Sequence, residues 1–71
     1  MTDWIFVDSS NIEAVSYDAP NMELRVRFLK SGEYVIRGVP VDVFEAFTSA
    51  DSKGSYYNRV IKPNYPDVSK A

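Results

Sequence analysis

Apolar and polar positions follow two different periods in this chain. Between residues 22 and 28, Met22, Leu24, Val26 and Phe28 alternate with Glu23, Arg25 and Arg27. A period of two puts the first set on one face of a half-buried antiparallel strand and the second on the other. Lys30-Ser31-Gly32 makes a turn, and residues 33–37 return with Tyr34 and Ile36 on one face and Glu33, Val35 and Arg37 on the other. Upstream, residues 12–17 form another β-prone run. It is joined to the central strand by Asp18-Ala19-Pro20-Asn21, whose side chains favour a turn. Together these runs predict a three-stranded meander. The short apolar stretch 4–7, ended by Asp8-Ser9-Ser10-Asn11, adds an edge strand or an arm across the core.

The period changes after Gly38-Val39-Pro40. Pro40, Val43, Phe44 and Phe47 recur at i, i+3, i+4 and i+7, one face of a helix that begins where a proline is tolerated. This helix is expected to lie on the sheet with its two phenylalanines as anchors and to end within residues 48–51. Ser52-Lys53-Gly54-Ser55 reads as a loop, and residues 56–62 as a short second helix with Tyr57, Val60 and Ile61 turned inward and Pro63 as its stop. The expected fold is α+β: a three- to four-stranded antiparallel sheet packed by one main helix and a second short one. Residues 1–66 form the single domain, and 67–71 are expected to be a disordered tail.

Composition narrows the chemistry more than the fold. With 71 residues there is one small core. There is no cysteine and no histidine, which removes disulfides, thiolate metal sites and the commonest general base. Asp42 and Glu45 are the only close carboxylate pair on a predicted helix, and their place in its first turn suits the helix dipole. A dyad of a serine with Lys53 would need a desolvated lysine, and Lys53 sits beside a glycine in a polar loop. The chain is therefore expected not to be an enzyme and to need no cofactor or metal. Neither a membrane span nor a signal peptide is visible, since residues 1–8 lack a basic start and a long apolar run, so the expected compartment is the cytoplasm.

The formal net charge of −2 conceals segregation. Successive blocks 1–23, 24–37, 38–51, 52–66 and 67–71 carry −5, +3, −3, +3 and 0. Any anionic ligand is thereby restricted to a patch. Two patches are candidates. Arg25, Arg27 and Arg37 project from one face of adjacent strands, either as a grip for phosphates or as a solvated face with cross-strand acidic partners such as Glu13. Ser52-Lys53-Gly54-Ser55 entering a helix has small residues, a lysine and hydroxyls, which suit an anion or a capped turn equally, with Arg59 one turn on. Tyr56 and Tyr57 project about 100° apart, so one is expected in the core and the other exposed for stacking.

Several ordered segments resemble the KTSC-domain family. They are residues 4–8; Asp8-Ser9-Ser10-Asn11-Ile12-Glu13-Ala14-Val15, then Tyr17-Asp18; Ser31-Gly32-Glu33-Tyr34; Gly38-Val39-Pro40 leading into Val43-Phe44-Glu45-Ala46-Phe47; and Ser52-Lys53-Gly54-Ser55-Tyr56-Tyr57-Asn58-Arg59 followed by Ile61. No single segment is diagnostic; the order is specific. Two positions depart from the family pattern. Tyr34-Val35-Ile36 stands where the family has Tyr-x-Tyr, and Phe6 where a proline is common. The family includes small stand-alone bacterial and phage proteins, which this chain looks like, and a module at the C-terminus of some lysyl-tRNA synthetases. That association implies RNA binding. The family positions Ser52, Lys53, Gly54, Asn58 and Arg59 coincide with the anion-site candidate.

The expected function is thus a small non-enzymatic binding module for RNA, tRNA-like in the first instance, or another phosphate-bearing ligand. Its expected contacts are Lys53, Gly54, Ser55, Tyr56, Asn58 and Arg59, aided by Arg25, Arg27 and Arg37. The competing expectation is a protein-interaction adaptor that uses the N-terminal arm or an exposed sheet edge.

Overall fold

The computed structural model describes residues 4–71; residues 1–3, the start of the expected domain, lie outside it. Five strands form one antiparallel sheet in sequence order: β1 Ile5–Phe6, β2 Ile12–Asp18, β3 Glu23–Phe28, β4 Gly32–Arg37 and β5 Val68–Lys70. The α+β class stands, with five strands in place of three to four. The fifth comes from the tail expected to be disordered. Its residues bury little surface and carry no apolar pattern, but their backbone pairs with the free edge of β4, Val35 opposite Ser69 and Ile36 opposite Val68.

Register divides the sheet into two faces. Val15, Val26 and Tyr34 lie in one row and Tyr17, Leu24 and Ile36 in the next, all on the face that the helices cover. The main helix, α1 Val41–Ser49, delivers Phe47 to this face, and the second helix delivers Ile61. Ile12, Val15, Leu24, Val26, Ile36, Val39, Phe47 and Ile61 form the fully buried cluster. Each such side chain contributes about 1.5–3 kcal/mol relative to exposure. Tyr17 closes one end by stacking on Phe44 at 4.7 Å and donating its hydroxyl to the Val39 carbonyl at 2.6 Å. Met22, expected on the core face, is instead exposed. It adopts φ 52° to close the 3₁₀ turn Ala19–Asn21 and places β3 one residue later.

The second helix, α2, differs from expectation at both ends. It begins at Lys53, because Ser52 caps it by accepting from the Ser55 N–H at 3.4 Å, so the predicted loop is its first turn. It runs as Lys53–Tyr56, a π turn Tyr57–Ile61 and a last turn Lys62–Asn64, all right-handed. Pro63 does not stop it. A proline inside an α-helix lacks the N–H for residue i−4 and clashes with that carbonyl, here of Arg59. The preceding π turn, closed by the Lys62 N–H to the Tyr57 carbonyl, widens the ladder where that conflict would fall. Asn64 then donates its amide to the Val60 carbonyl at 2.7 Å, and the Tyr65 N–H bonds Ile61 at 2.9 Å.

Among the described residues no helix is long and apolar enough to cross a membrane.

Candidate functional site

The helix-free face of the sheet holds the arginines. Arg25 and Arg27 reach the same carboxylate, Glu33, at 3.6 and 3.5 Å; Arg37 lies 3.7 Å from Glu23 and 3.5 Å from Asp67 and donates to the Ser69 hydroxyl at 2.9 Å. The Arg27 guanidinium also sits 4.3 Å above the Trp4 ring. The small residues Ala14 and Ser16 lie beneath these long side chains, fully buried, and the Ser16 hydroxyl has no partner among the described residues. Of the two readings of the arginine face, cross-strand pairing is the one observed. The partners are Glu33, Glu23 and Asp67 rather than the expected Glu13.

On the other side of the molecule, three segments far apart in sequence form the walls of a groove. Residues 8–11 make a loop before β2, in which the Ser9 hydroxyl accepts from the N–H groups of Asn11 and Ile12, both at 3.3 Å. The Asn11 carbonyl is bonded by the Leu29 N–H at 2.8 Å, which ties this loop to the β3–β4 turn carrying Lys30 and Ser31. The first turns of α2 complete the enclosure. Gly54 makes the close approach here: a Cβ there would stand 3.3 Å from the Asn11 amide nitrogen, which would have to give way.

The groove has three sections that share Asn58. The first, about 270 Å³, is bounded by Ser10, Asn11, Lys30, Ser31, Gly54 and Asn58 with Phe28 and Tyr57 behind. The second, about 300 Å³, is polar and runs past Asp8, Ser9, Asp51, Lys53 and Ser55. The third, about 400 Å³, opens toward β5 between Phe28, Tyr34, Tyr57, Lys62 and Val68. Its aromatic side is ordered edge to face: Phe28 meets Tyr34 at 5.7 Å and Tyr57 at 5.2 Å, with interplanar angles of 76° and 77°. Burial, then the neighbouring Tyr34, raises the Tyr57 phenol above the ordinary tyrosine value, so it is a protonated donor at neutral pH.

Charge is unevenly distributed along the groove. Asp8 and Asp51 flank the polar section, and the Lys53 ammonium donates to the Ala50 carbonyl at 3.0 Å, securing the end of α1. Lys30 and Lys62 are exposed and enter no ion pair among the described residues. The groove is therefore cationic toward Lys30 and Lys62 and not at the start of α2.

The sequence-selected residues separate accordingly. Lys53, Gly54, Ser55 and Asn58 meet on the groove. Arg59 and Tyr56 line a neighbouring hollow with Asp51, Ser52, Ser55 and Val60. Tyr56 is not exposed for stacking; it packs on Phe47 with centroids 5.8 Å apart. Arg25, Arg27 and Arg37 are on the opposite face. Asn11, Lys30, Ser31 and Lys62 belong to the groove and were not selected. The strand pattern held part of the signal, because arginines alternating with core residues must point away from the helices that cover that core.

The KTSC domain model matches residues 8–65. A protein of Tsukamurella paurometabola is 36% identical over 63 residues, 89% of this chain and 94% of its own. An uncharacterized protein of Stutzerimonas stutzeri is 33% identical over 61 residues, 86% of each chain. The crystal structure of a KTSC domain protein from Yersinia pestis has a TM-score of 0.96 and 34% identity, covering 100% of this chain and 99% of the other. Asn11, Lys30, Asn58 and Lys62 all fall inside the matched span, and the chain belongs to the KTSC-domain family.

Proposed function

We propose that this protein is a non-enzymatic binding module that holds a phosphate-bearing ligand, RNA in the first instance, in the groove between the 8–11 loop, the β3–β4 turn and α2. The observation that carries this reading is the contrast between the two sets of cations. Arg25, Arg27 and Arg37 are occupied by carboxylates on the open sheet face, whereas Lys30 and Lys62 have no ion-pair partner among the described residues and flank a groove rich in amide and hydroxyl groups. Lysines act on phosphate as point charges and need no fixed fork geometry. Asn58, at the junction of the three sections, offers a donor and an acceptor to whatever lies between them.

The test is a fluorescence-anisotropy titration of labelled tRNA and single-stranded RNA at low and moderate salt. Binding should weaken as salt rises, and Lys30→Ala with Lys62→Ala should reduce the salt slope by about 1.4, two contacts at ~0.7 each for a single strand. Absence of binding at low salt, or a slope unchanged by both substitutions, overturns the reading.

A second reading has its own observation. Ile5 and Phe6 on the edge strand β1 are 48% and 68% exposed, an apolar edge of the kind that captures an extended segment of another protein. Deleting residues 1–7 should then abolish partner capture in a pull-down; retained capture counts against it.

A further inference from the structure

We infer that the groove takes an unpaired nucleotide, its base against Phe28, Tyr34 and Tyr57 and the neighbouring phosphates at Lys30 and Lys62. This rests on the phosphate-binding reading and adds the ligand's second half. The first and third sections share Phe28, Ser31, Tyr57 and Asn58, so one continuous path leads from Lys30 to Lys62 with an aromatic wall between them. Alternation of cation, ring and cation matches a strand of phosphate, base and phosphate. The third section, at about 400 Å³, lies within the range of small-ligand sites.

The same geometry disfavours a duplex. In an A-form helix the bases are stacked inside and the phosphates lie outside, so a wall recessed between two lysines meets no base. An unpaired base can enter beside these rings, of which both tyrosines stand nearly perpendicular to Phe28. Asn58 offers both a donor and an acceptor and Ser31 a hydroxyl, so the site selects a ring bearing polar edges rather than one particular base. Among the described residues nothing comparable occurs on the arginine face. There the half-buried Trp4 ring is already covered by Arg27.

The experiment uses the full chain with three probes: an eight-residue oligouridine, its abasic analogue of equal phosphate number, and a blunt eight-base-pair RNA duplex, which carries twice the phosphates. Oligouridine should bind roughly tenfold or more tighter than either of the others, the size expected when a base stacks on aromatic side chains. Equal affinity for oligouridine and the abasic strand overturns the base site and leaves the phosphate reading standing. Equal or tighter binding of the duplex also overturns it. Failure of all three to bind removes both. A readout that needs no substitution runs alongside: in amide NMR spectra, oligouridine should shift Ser31, Tyr57, Asn58 and Lys62 and leave the Trp4 indole N–H in place. Shifts centred on Trp4 and Arg25 overturn the assignment.

Discussion

Replacing Glu33 by glutamine separates the two cationic surfaces of this domain in one step. Its carboxylate serves Arg25 at 3.6 Å and Arg27 at 3.5 Å, and all three side chains are partly solvated, at 39%, 35% and 27% exposure for Arg25, Arg27 and Glu33. Pairs this exposed contribute ~0.2–1 kcal/mol each after screening. The glutamine oxygen still accepts a hydrogen bond, so Glu33→Gln should lower stability by about 0.5–1.5 kcal/mol. For a domain of this size that corresponds to a fall in Tm of roughly 3–10 °C. Two arginines are released on the open face, and the formal charge rises from −2. At physiological salt, where charges beyond ~8 Å are largely screened, affinity for oligouridine should change by less than about twofold. Lys30→Ala with Lys62→Ala should weaken it roughly tenfold with little effect on Tm. Anisotropy and thermal melts on the same preparations give both numbers. If Glu33→Gln tightens binding several-fold while the lysine variant binds normally, the open face is the binding surface and the groove is not.

Three further outcomes test individual contacts. Tyr17→Phe removes the hydrogen bond to the Val39 carbonyl and should cost about 1–2 kcal/mol in urea unfolding; no measurable loss would show that water replaces it freely. Burial raises the phenols of both Tyr17, where Asp18 and Asp42 add to it, and Tyr57, so the folded state holds these protons more tightly than the unfolded chain. Their contribution is full below about pH 10 and is lost as pH rises through the raised folded values; Tyr17→Phe with Tyr57→Phe should flatten the alkaline fall in stability, and an unchanged fall would assign it elsewhere. Gly54→Ala brings a Cβ against the exposed end of Asn11, which has room to move, and alanine favours the helix by about 0.5–1 kcal/mol. Tm should rise by a few degrees while RNA affinity falls; lower Tm would mean that the Asn11 contact is rigid.

Much of this fold was legible because its elements bury side chains with a period. Leu24, Val26 and Phe28 in the alternating run, and Val43, Phe44 and Phe47 at helical spacing, mark β3 and α1 without reference to anything distant, whereas Met22 and Pro40, which share those periods, stay exposed at the element ends. β5 was not legible, since it is held by backbone pairing to β4, and its exposed residues Val68, Ser69 and Lys70 carry no burial signal. The continuation of α2 through Pro63 was hidden for a related reason: the π turn that accommodates the ring is a backbone adjustment with no side-chain pattern. At the site, local sequence marked the start of α2, whose residues are contiguous. It could not reveal that Lys30 and Asn11 stand opposite them, because the Leu29 N–H to Asn11 carbonyl bond spans a whole hairpin. Arg25, Arg27 and Arg37 stand apart from the groove through tertiary placement, not through residue type.

The π turn Tyr57–Ile61 also bears on how this chain tolerates insertions and deletions. It holds one residue more than a regular α turn, so removing one residue there would restore standard hydrogen bonding while turning the two halves of α2 by about 100° relative to each other. Ile61 is buried in the core from the C-terminal half, and Gly54 abuts Asn11 from the N-terminal half. Only with the extra residue do both engagements occur together and bring Asn58 and Lys62 to the same groove. Length across residues 57–61 should therefore be less free to vary than identity: substitutions at the exposed Arg59 are tolerable, whereas a one-residue deletion yields a more regular helix on a domain that no longer closes.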